Sequence, residues 1–286
     1  MNSYSPPLIT ILGPTASGKT ALSIALAKIL DGEIISADSR QVFRGMSIGT
    51  GKDLKEYGEI PYHLIDIRNA GDHYDVSVFQ KDFYQALNSI HLRKKRAILC
   101  GGSGMYIQSV LQDFKHTSIP KNEELREALE KLTMAELTDI YEQAPLRGTF
   151  RAEVSTKKRL IRAIEIAKTL EDNPAALHKR HQQIPHLIFG LNPEVDIRRE
   201  CISRRLQKRM EEGLIEEVES LLDKGVPMEK LIQYGLEYKW VTLYLKGELD
   251  YSTMYARMET SIHQYAKRQM TYFRKMEKDG LKIHWL

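Results

Sequence analysis

The sequence predicts an α/β fold in which a parallel β-sheet is flanked by helices and interrupted by an all-helical insertion. Short apolar runs rich in β-branched residues alternate with helical patterns, which is the order that builds parallel sheets. Between the fourth and fifth of these runs, residues 101–185 contain no convincing strand. The length of 286 residues is enough for about two domains.

The local spacing of apolar residues predicts the individual elements. Strands are expected at residues 8–12, 33–36, 62–66, 97–100 and 186–191, with a further candidate at 281–285. Helices are expected at residues 19–30, 78–92, 195–212 and 252–278. Gly213 suits the end of the third of these helices. We therefore expect residues 1–112 and 185–286 to form the α/β core.

Residues 113–184 are predicted to form the helical insertion. Thr133 and Glu136 have the spacing of a capping box at a helix start, and Ser155 is a candidate cap for the next helix. Positive charge is concentrated nearby, since residues 147–210 carry fifteen basic and seven acidic side chains while the whole chain carries only +4. This concentration suits a polyanionic partner, although exposed helix faces also carry such residues simply because water solvates them.

The composition excludes several classes of protein. A hydrophobic content of 42% argues against disorder, and two cysteines cannot form a disulfide framework or a four-ligand zinc site. No apolar run approaches the roughly 18 residues that a membrane span needs. The N-terminus lacks the basic start of a signal peptide. We therefore expect a cytoplasmic protein that makes no contact with a membrane.

A phosphate-binding motif follows the first predicted strand. The residues that match G-x-x-x-x-G-K-[ST] are Gly13, Pro14, Thr15, Ala16, Ser17, Gly18, Lys19 and Thr20. Backbone N–H groups of such a loop surround phosphate oxygens, Lys19 can neutralise them, and Thr20 can supply a hydroxyl to Mg²⁺. Because the motif lies between a strand and an amphipathic helix, it predicts a P-loop NTPase-like core that binds a diphosphate or a triphosphate.

Two further polar side chains follow the ends of predicted strands. Asp38 comes after the second strand, at the sheet edge where open α/β folds bind ligands. Its carboxylate fits three roles: a Mg²⁺ ligand through water, a general base, or a helix cap. Ser103 lies in a glycine-rich turn after the fourth strand. This turn either brings the backbone and a serine hydroxyl to a ligand or is simply a tight connection.

Two basic segments have the composition of nucleic-acid contacts. Within residues 157–165, Arg159 and Arg162 share one helical face and can hold phosphates, or Arg162 can pair with Glu165 in a surface network. Within residues 265–274, aromatic side chains alternate with lysine and arginine. That pattern suits single-stranded RNA, and the alternative is a helix whose aromatic residues face the core.

Six sequence blocks together resemble one family. The blocks are GPTASGKT at 13–20, ISADSRQVFRGMSIGTGK at 35–52, GGSGMYI at 101–107, KKRLIRAIE at 157–165, RMEEGLIEEV at 209–218 and YAKRQMTYFRK at 265–275. They resemble the tRNA dimethylallyltransferases, also called tRNA isopentenylpyrophosphate transferases. The zinc finger of eukaryotic members has no counterpart, so the resemblance is to the bacterial type. The family's Gly-Tyr-Lys-Glu block is replaced by YGLEYK at 234–239.

The resemblance implies transfer of a dimethylallyl group from dimethylallyl diphosphate to the exocyclic amine of the adenine 3′ of a tRNA anticodon, with release of diphosphate. The phosphate loop would hold the prenyl diphosphate, and Asp38 would be the general base. Lys19, Arg205 and Mg²⁺ held through Thr20 would stabilise the leaving group. Ser103 stands where the family usually has threonine, and its hydroxyl is expected to keep a catalytic contact.

The partner implied by the resemblance is the tRNA anticodon stem–loop. The implied contacts are Asp38, Ser39, Arg40, Gln41, Ser103, Lys158, Arg159, Leu160, Ile161, Arg162, Lys267, Arg268 and Gln269. No obligate protein partner is implied. Two other functions fit the phosphate loop: a small-molecule kinase in which Asp38 activates a hydroxyl group, and a non-enzymatic RNA-binding protein switched by a nucleotide.

Overall fold

The computed structural model describes residues 6–145, 152, 154–174 and 184–286. It divides into two compact units. The α/β unit comprises Met1–Leu111 and Ile184–Leu286, and the helical unit comprises Gln112–Gln183. The predicted fold class, an α/β protein with a central parallel sheet flanked by helices, is confirmed.

A six-stranded parallel sheet forms the centre of the α/β unit. The strands of this unit are β1 (Leu8–Leu12), β2 (Gly32–Ala37), β3 (Phe43–Arg44), β4 (Tyr62–His63), β5 (Arg68–Asn69), β6 (Arg96–Gly101), β7 (His186–Gly190) and β8 (Ile283–Trp285). The large sheet has the order β4-β2-β6-β1-β7-β8, and β3 pairs with β5 separately. Because every pair is parallel, the carboxyl ends of β1, β2 and β6 meet at one edge.

The third predicted strand is shorter than expected. Only Tyr62 and His63 pair with β2, whereas the prediction continued to Asp66. Leu64 and Asp66 have φ values of 62° and 54°. This left-handed backbone cannot continue an extended strand, so pairing stops after His63.

Helices cover both faces of the sheet. In the α/β unit these helices are α1 (Lys19–Leu30), α2 (Val76–Leu92), α3 (Gly104–Leu111), α7 (Val195–Glu211), α8 (Leu214–Asp223), α9 (Met228–Tyr234), α10 (Leu236–Leu245) and α11 (Tyr251–Lys278). The helical unit has its own helices, α4 (Glu123–Glu130), α5 (Met134–Gln143) and α6 (Lys157–Asp172). Ile34 and Ile98 join an apolar cluster with Ile24 of α1, while the alternate residues Ile35 and Leu99 join the main core on the other face. Over the described residues, no helix has both the length and the apolarity that a membrane crossing requires.

Helix α11 buries an apolar stripe and exposes basic side chains. The buried residues recur every three or four positions and include Met254, Met258, Ile262, Ala266, Met270 and Phe273. Lys267 and Arg268 are exposed. The core-facing alternative is therefore correct for Phe273, and the basic residues remain accessible to a partner.

The helical unit packs α4, α5 and α6 around a small apolar core. Thr133 and Glu136 form the predicted capping box, each side chain accepting the other residue's backbone N–H. The cap predicted for α6 is wrong by one residue, because the hydroxyl that accepts the N–H of Arg159 belongs to Thr156 rather than Ser155. A cap must lie immediately before the first helical residue, and Thr156 holds that position.

Two predicted tRNA contacts, Leu160 and Ile161, lie in this small core. Their exposed fractions are 1% and 2%, so their side chains pack inside the unit and do not reach its surface. Arg162 adopts the alternative considered for it, because it donates to the buried Glu165 at 3.2 Å and to the Ile119 carbonyl at 2.6 Å. Lys158 and Arg159 of this block are exposed, and Lys157 and Arg162 are half-buried.

Candidate active site

A cleft opens in the α/β unit beside the carboxyl ends of β1, β2 and β6. Its volume is about 850 Å³, including the open mouth. The predicted site residues that line it are Thr15, Lys19, Thr20, Asp38, Arg40, Gln41, Arg205 and Gln269. The fold thus brings segments far apart in sequence to the edge where α/β sheets bind ligands.

The phosphate loop connects β1 to α1 as a tight turn. Ala16 and Gly18 have φ values of 60° and 83°, and Lys19 Nζ donates to the Pro14 carbonyl across the loop at 3.2 Å. The Ser17 hydroxyl is buried and has no hydrogen-bond partner among the described residues. Buried hydroxyls are rarely left unpaired. A Cβ at Gly13 would lie 2.6 Å from this oxygen, and Ser17 is not part of the cleft lining.

Gln269 of α11 joins the phosphate loop to the glycine-rich turn. Its Oε1 accepts the N–H of Thr15 at 2.8 Å, and its Nε2 donates to the Gly102 carbonyl at 3.0 Å. It is only 6% exposed. Gln269, which the sequence predicts as a tRNA contact, lines the cleft and holds two of its loops together.

Asp38 follows β2 in a side-chain turn. Its Oδ1 accepts the backbone N–H groups of Arg40 at 2.8 Å and Gln41 at 3.2 Å. No helix begins at this turn, so the helix-cap alternative is wrong. Within the described part of the chain, Oδ2 has no hydrogen-bond partner, and the carboxylate lines the cleft. One oxygen therefore fixes the carboxylate and leaves the other for a ligand.

Ser103 is tied to the same turn. Its hydroxyl accepts the N–H of Ser39 at 3.2 Å, and the phenol of Tyr265 lies close to it. Burial raises the pKa of Tyr265, with Asp38 adding to the shift, so this phenol stays protonated at neutral pH. Ser103 and Ser39 thus connect β6, the Asp38 turn and α11 beside the cleft.

Gly101 makes the close approach that joins β6 to β2. A Cβ at this position would lie 2.2 Å from the Ala37 carbonyl oxygen. We expect Gly101→Ala to lower the free energy of unfolding by about 1–3 kcal/mol, as overpacking does. Urea unfolding would measure this. The control is Gly225→Ala, which tests only backbone strain because nothing lies within 4 Å of its Cβ. An equal loss in both variants would contradict the steric explanation.

Basic side chains converge on the cleft. Burial lowers the pKa of the Lys19 ammonium, and the guanidinium groups of Arg205 and Arg209 lower it further. Burial and Arg209 likewise lower the pKa of Arg205, whose Nη2 donates to the Gly51 carbonyl at 3.2 Å and to Asp53 at 3.1 Å. Like charges held this close indicate a site for an anion.

Three residues that shape this site are not predicted by the sequence motifs. Arg209 and Glu237 line the cleft and form a buried ion pair, and Glu217 accepts the N–H groups of residues 47–49 in the loop that forms one wall. One signal was available, because Arg205 and Arg209 are four residues apart on one helical face. The roles of Glu217 and Glu237 depend on contacts between distant segments.

The geometry defines the class of protein: an α/β protein of the phosphate-loop type, with cations and a carboxylate at one cleft. A model of the IPP transferase family matches residues 41–276. A protein of Porphyromonas gingivalis named tRNA dimethylallyltransferase 2 is 52% identical over 284 residues, covering 98% of this chain and 93% of that protein. The chain belongs to the IPP transferase family, which confirms the resemblance of the six blocks.

Solved structures share the fold. The tRNA isopentenylpyrophosphate transferase from Bacillus halodurans is 33% identical with a TM-score of 0.72, covering 99% of this chain and 90% of that one. A eukaryotic dimethylallyltransferase acting on tRNA has a TM-score of 0.80 at 24% identity, covering 98% of this chain and 74% of that chain. At that identity, the second likeness supports the fold alone.

Proposed function

We propose that this chain transfers a dimethylallyl group from dimethylallyl diphosphate to the exocyclic amine of the adenine 3′ of a tRNA anticodon. The observation that carries the proposal is the cleft in which Asp38 lies beside Lys19 and Arg205. A bond forms between the amine nitrogen and the first carbon of the prenyl group, and the bond from that carbon to the diphosphate oxygen breaks. The electron pair leaves with diphosphate, and the amine proton passes to Asp38.

The diphosphate half of the reaction uses the phosphate loop. Lys19 and Arg205 offset the charge that develops on the leaving oxygen. The Thr20 hydroxyl is an oxygen donor of the kind that would hold Mg²⁺ beside phosphates. When bound, this ion supplies additional positive charge to the diphosphate.

The acceptor half of the reaction uses Asp38. The lone pair of an adenine amine is delocalised into the ring, so a base that accepts its proton as the bond forms lowers the barrier. Oδ1 is held by two backbone N–H groups, which leaves Oδ2 to accept this proton. Ile262, Tyr238 and Tyr265 give the cleft apolar surface suited to a short prenyl group. The adenine must leave the loop stack to enter, at a cost of a few kcal/mol.

The anticodon stem–loop is the proposed polyanionic partner. Exposed basic residues lie in both units: Lys158 and Arg159 in the helical unit, and Lys267 and Arg268 on α11. Arg40 is held in place within the cleft, because its Nε donates to the Tyr234 carbonyl at 3.1 Å and its guanidinium lies over the Tyr234 ring. We assign phosphate contacts to the exposed residues and a positioning role to Arg40.

One assay tests the proposal against its alternatives. The protein is incubated with undermodified tRNA, Mg²⁺ and dimethylallyl diphosphate labelled in the prenyl group. Label in the tRNA is the expected result. Absence of label together with ADP formation from ATP in the presence of a small hydroxyl compound would favour the kinase. Nucleotide-dependent RNA binding without either reaction would favour the switch.

Lys158→Ala and Arg159→Ala are expected to weaken tRNA binding and to flatten its salt dependence. Removal of one side chain that neutralises a phosphate should reduce the slope of log K against log salt by about 0.7–0.9. Filter binding at several salt concentrations measures this slope. Lys28→Ala, at an exposed position of α1, is the matched control and should leave the slope unchanged. If all variants share the wild-type slope, the helical unit does not contact tRNA phosphates through these residues.

A further inference from the structure

Arg209 occupies an unusual position in the cleft wall. It is 6% exposed and lies one turn after Arg205 on α7. Its Nη1 donates to Glu237 at 2.5 Å, and Glu237 is also buried. Its Nε is buried without a hydrogen-bond partner among the described residues. An unpaired guanidinium N–H inside a protein is costly, and an anion in the cleft that Arg209 lines would supply an acceptor for this guanidinium.

The guanidinium groups of Arg209 and Arg205 lie side by side over Gly51. A Cβ at Gly51 would lie 1.8 Å from Arg205 Nη2 and 2.3 Å from Arg209 Nη2. The absence of that side chain is what allows the two groups to share one space. Two cations this close repel each other, and this repulsion contributes, after burial, to the lowered pKa of Arg205.

The charge of the cleft lining is unbalanced. Lys19, Arg40, Arg205 and Arg209 are its basic residues, and Asp38 and Glu237 are its acidic residues. Glu237 offsets the charge of Arg209 in the free protein. A buried ion pair of this kind can often be replaced by apolar side chains without loss of stability. A contribution to stability is therefore a weak explanation for the presence of Arg209 and Glu237. An anion with several charges would offset the remaining excess.

We infer that Arg209 is a second guanidinium ligand of the diphosphate, and that Glu237 is a positioning residue that holds it beside Arg205. The inference rests on the proposed function, since the anion in question is the diphosphate of the prenyl donor. Two planar groups side by side can donate to oxygens of both phosphates, whereas a single guanidinium can grip only one in bidentate geometry. Arg209 thereby adds affinity for a diphosphate over a monophosphate.

The test measures binding of inorganic pyrophosphate in the presence of Mg²⁺ by calorimetry. The main variant is the pair Arg209→Met with Glu237→Leu, which removes both charges and avoids an unpaired buried ion. The matched control is Arg93→Met with Glu33→Gln, which removes another ion pair with a buried carboxylate, at the opposite end of β2. Melting temperatures verify that each variant is folded. A second variant, Arg209→Lys, keeps the charge and the contact with Glu237 but loses the planar group.

We expect the main variant to bind pyrophosphate about 10–100-fold more weakly, as loss of charge-assisted hydrogen bonds predicts. The control should bind like wild type, and Arg209→Lys should fall between wild type and the main variant. The main variant should also raise the KM for dimethylallyl diphosphate while its Kd for tRNA stays unchanged, a split that a purely structural role would not produce.

Wild-type affinity for pyrophosphate in a folded main variant overturns the inference. If the main variant does not fold, wild-type affinity in Arg209→Lys overturns it instead. The proposed function fails separately: it falls if the wild-type protein transfers no label to tRNA, whatever the variants bind. Prenyl transfer by wild type together with unchanged pyrophosphate binding in the variants would reject only the role of Arg209.

Discussion

Asp38→Asn is expected to lower the rate of prenyl transfer about 10²–10⁴-fold, the range attributed to a general base. The amide oxygen of Asn can still accept the N–H groups of Arg40 and Gln41, so the turn after β2 should survive. The amide cannot accept the proton of the adenine amine. Because no phosphate contact is removed, the Kd for tRNA should stay close to wild type.

Single-turnover transfer of labelled prenyl group measures this loss, and filter binding measures the tRNA affinity. Asp38→Ala is the companion variant, since it removes both the base and the acceptor that holds the turn. Equal losses in the two variants would assign the effect to proton transfer, and a larger loss in Asp38→Ala would add a positioning contribution. If Asp38→Asn retains wild-type activity, Asp38 is not the base.

Much of the fold could be predicted because most of its strands and helices follow from patterns of neighbouring residues. The apolar runs at β1, β2, β6 and β7, and the helical stripe of α11, are set by short-range periodicity. The predicted end of the third strand was wrong because an apolar run does not reveal the left-handed backbone at Leu64 and Asp66. Neither residue is a glycine, so nothing in their own conformational preferences favours a positive φ, and contacts with the rest of the fold must hold it.

The candidate site likewise has local features that the sequence predicts and long-range contacts that it does not. The phosphate loop and the Asp38 turn are local and were predictable. Gln269 bonds to Thr15 across 254 positions, and Glu237 bonds to Arg209 across 28. The burial of Leu160 and Ile161 could not be predicted for the same reason, because the motif block identified the helix but not which of its faces is buried. Which face of a helix is buried can be decided only once the packing of that helix against its neighbours is known.

Lys19→Met should both inactivate the enzyme and stabilise the protein without ligand. The Lys19 ammonium is desolvated in the cleft, its described hydrogen bond is to the Pro14 carbonyl, and Arg205 and Arg209 repel it. Methionine keeps most of the apolar stem and removes this desolvated charge. Transfer should fall by about 10²–10³-fold, because a donor to the leaving diphosphate is lost.

The pH dependence of this stabilisation follows from the lowered pKa of Lys19. Burial, the largest cause, lowers the folded pKa below the unfolded value of 10.5. A charged Lys19 therefore destabilises the fold at pH values below its folded pKa, and this cost disappears as the pH rises to 10.5. The advantage of Lys19→Met in melting temperature should be largest near neutral pH and shrink in alkaline solution.

Added pyrophosphate should reverse the order of the two melting temperatures, so that wild type melts above Lys19→Met. An anion that pairs with Lys19 stabilises wild type in proportion to its binding, whereas Lys19→Met gains much less. Melting temperatures with and without pyrophosphate, at neutral and alkaline pH, measure each of these effects. A Lys19→Met protein that melts below wild type without ligand would mean that the bond to Pro14 outweighs the cost of burying the charge. The phosphate loop would then be held together by its lysine rather than strained by it.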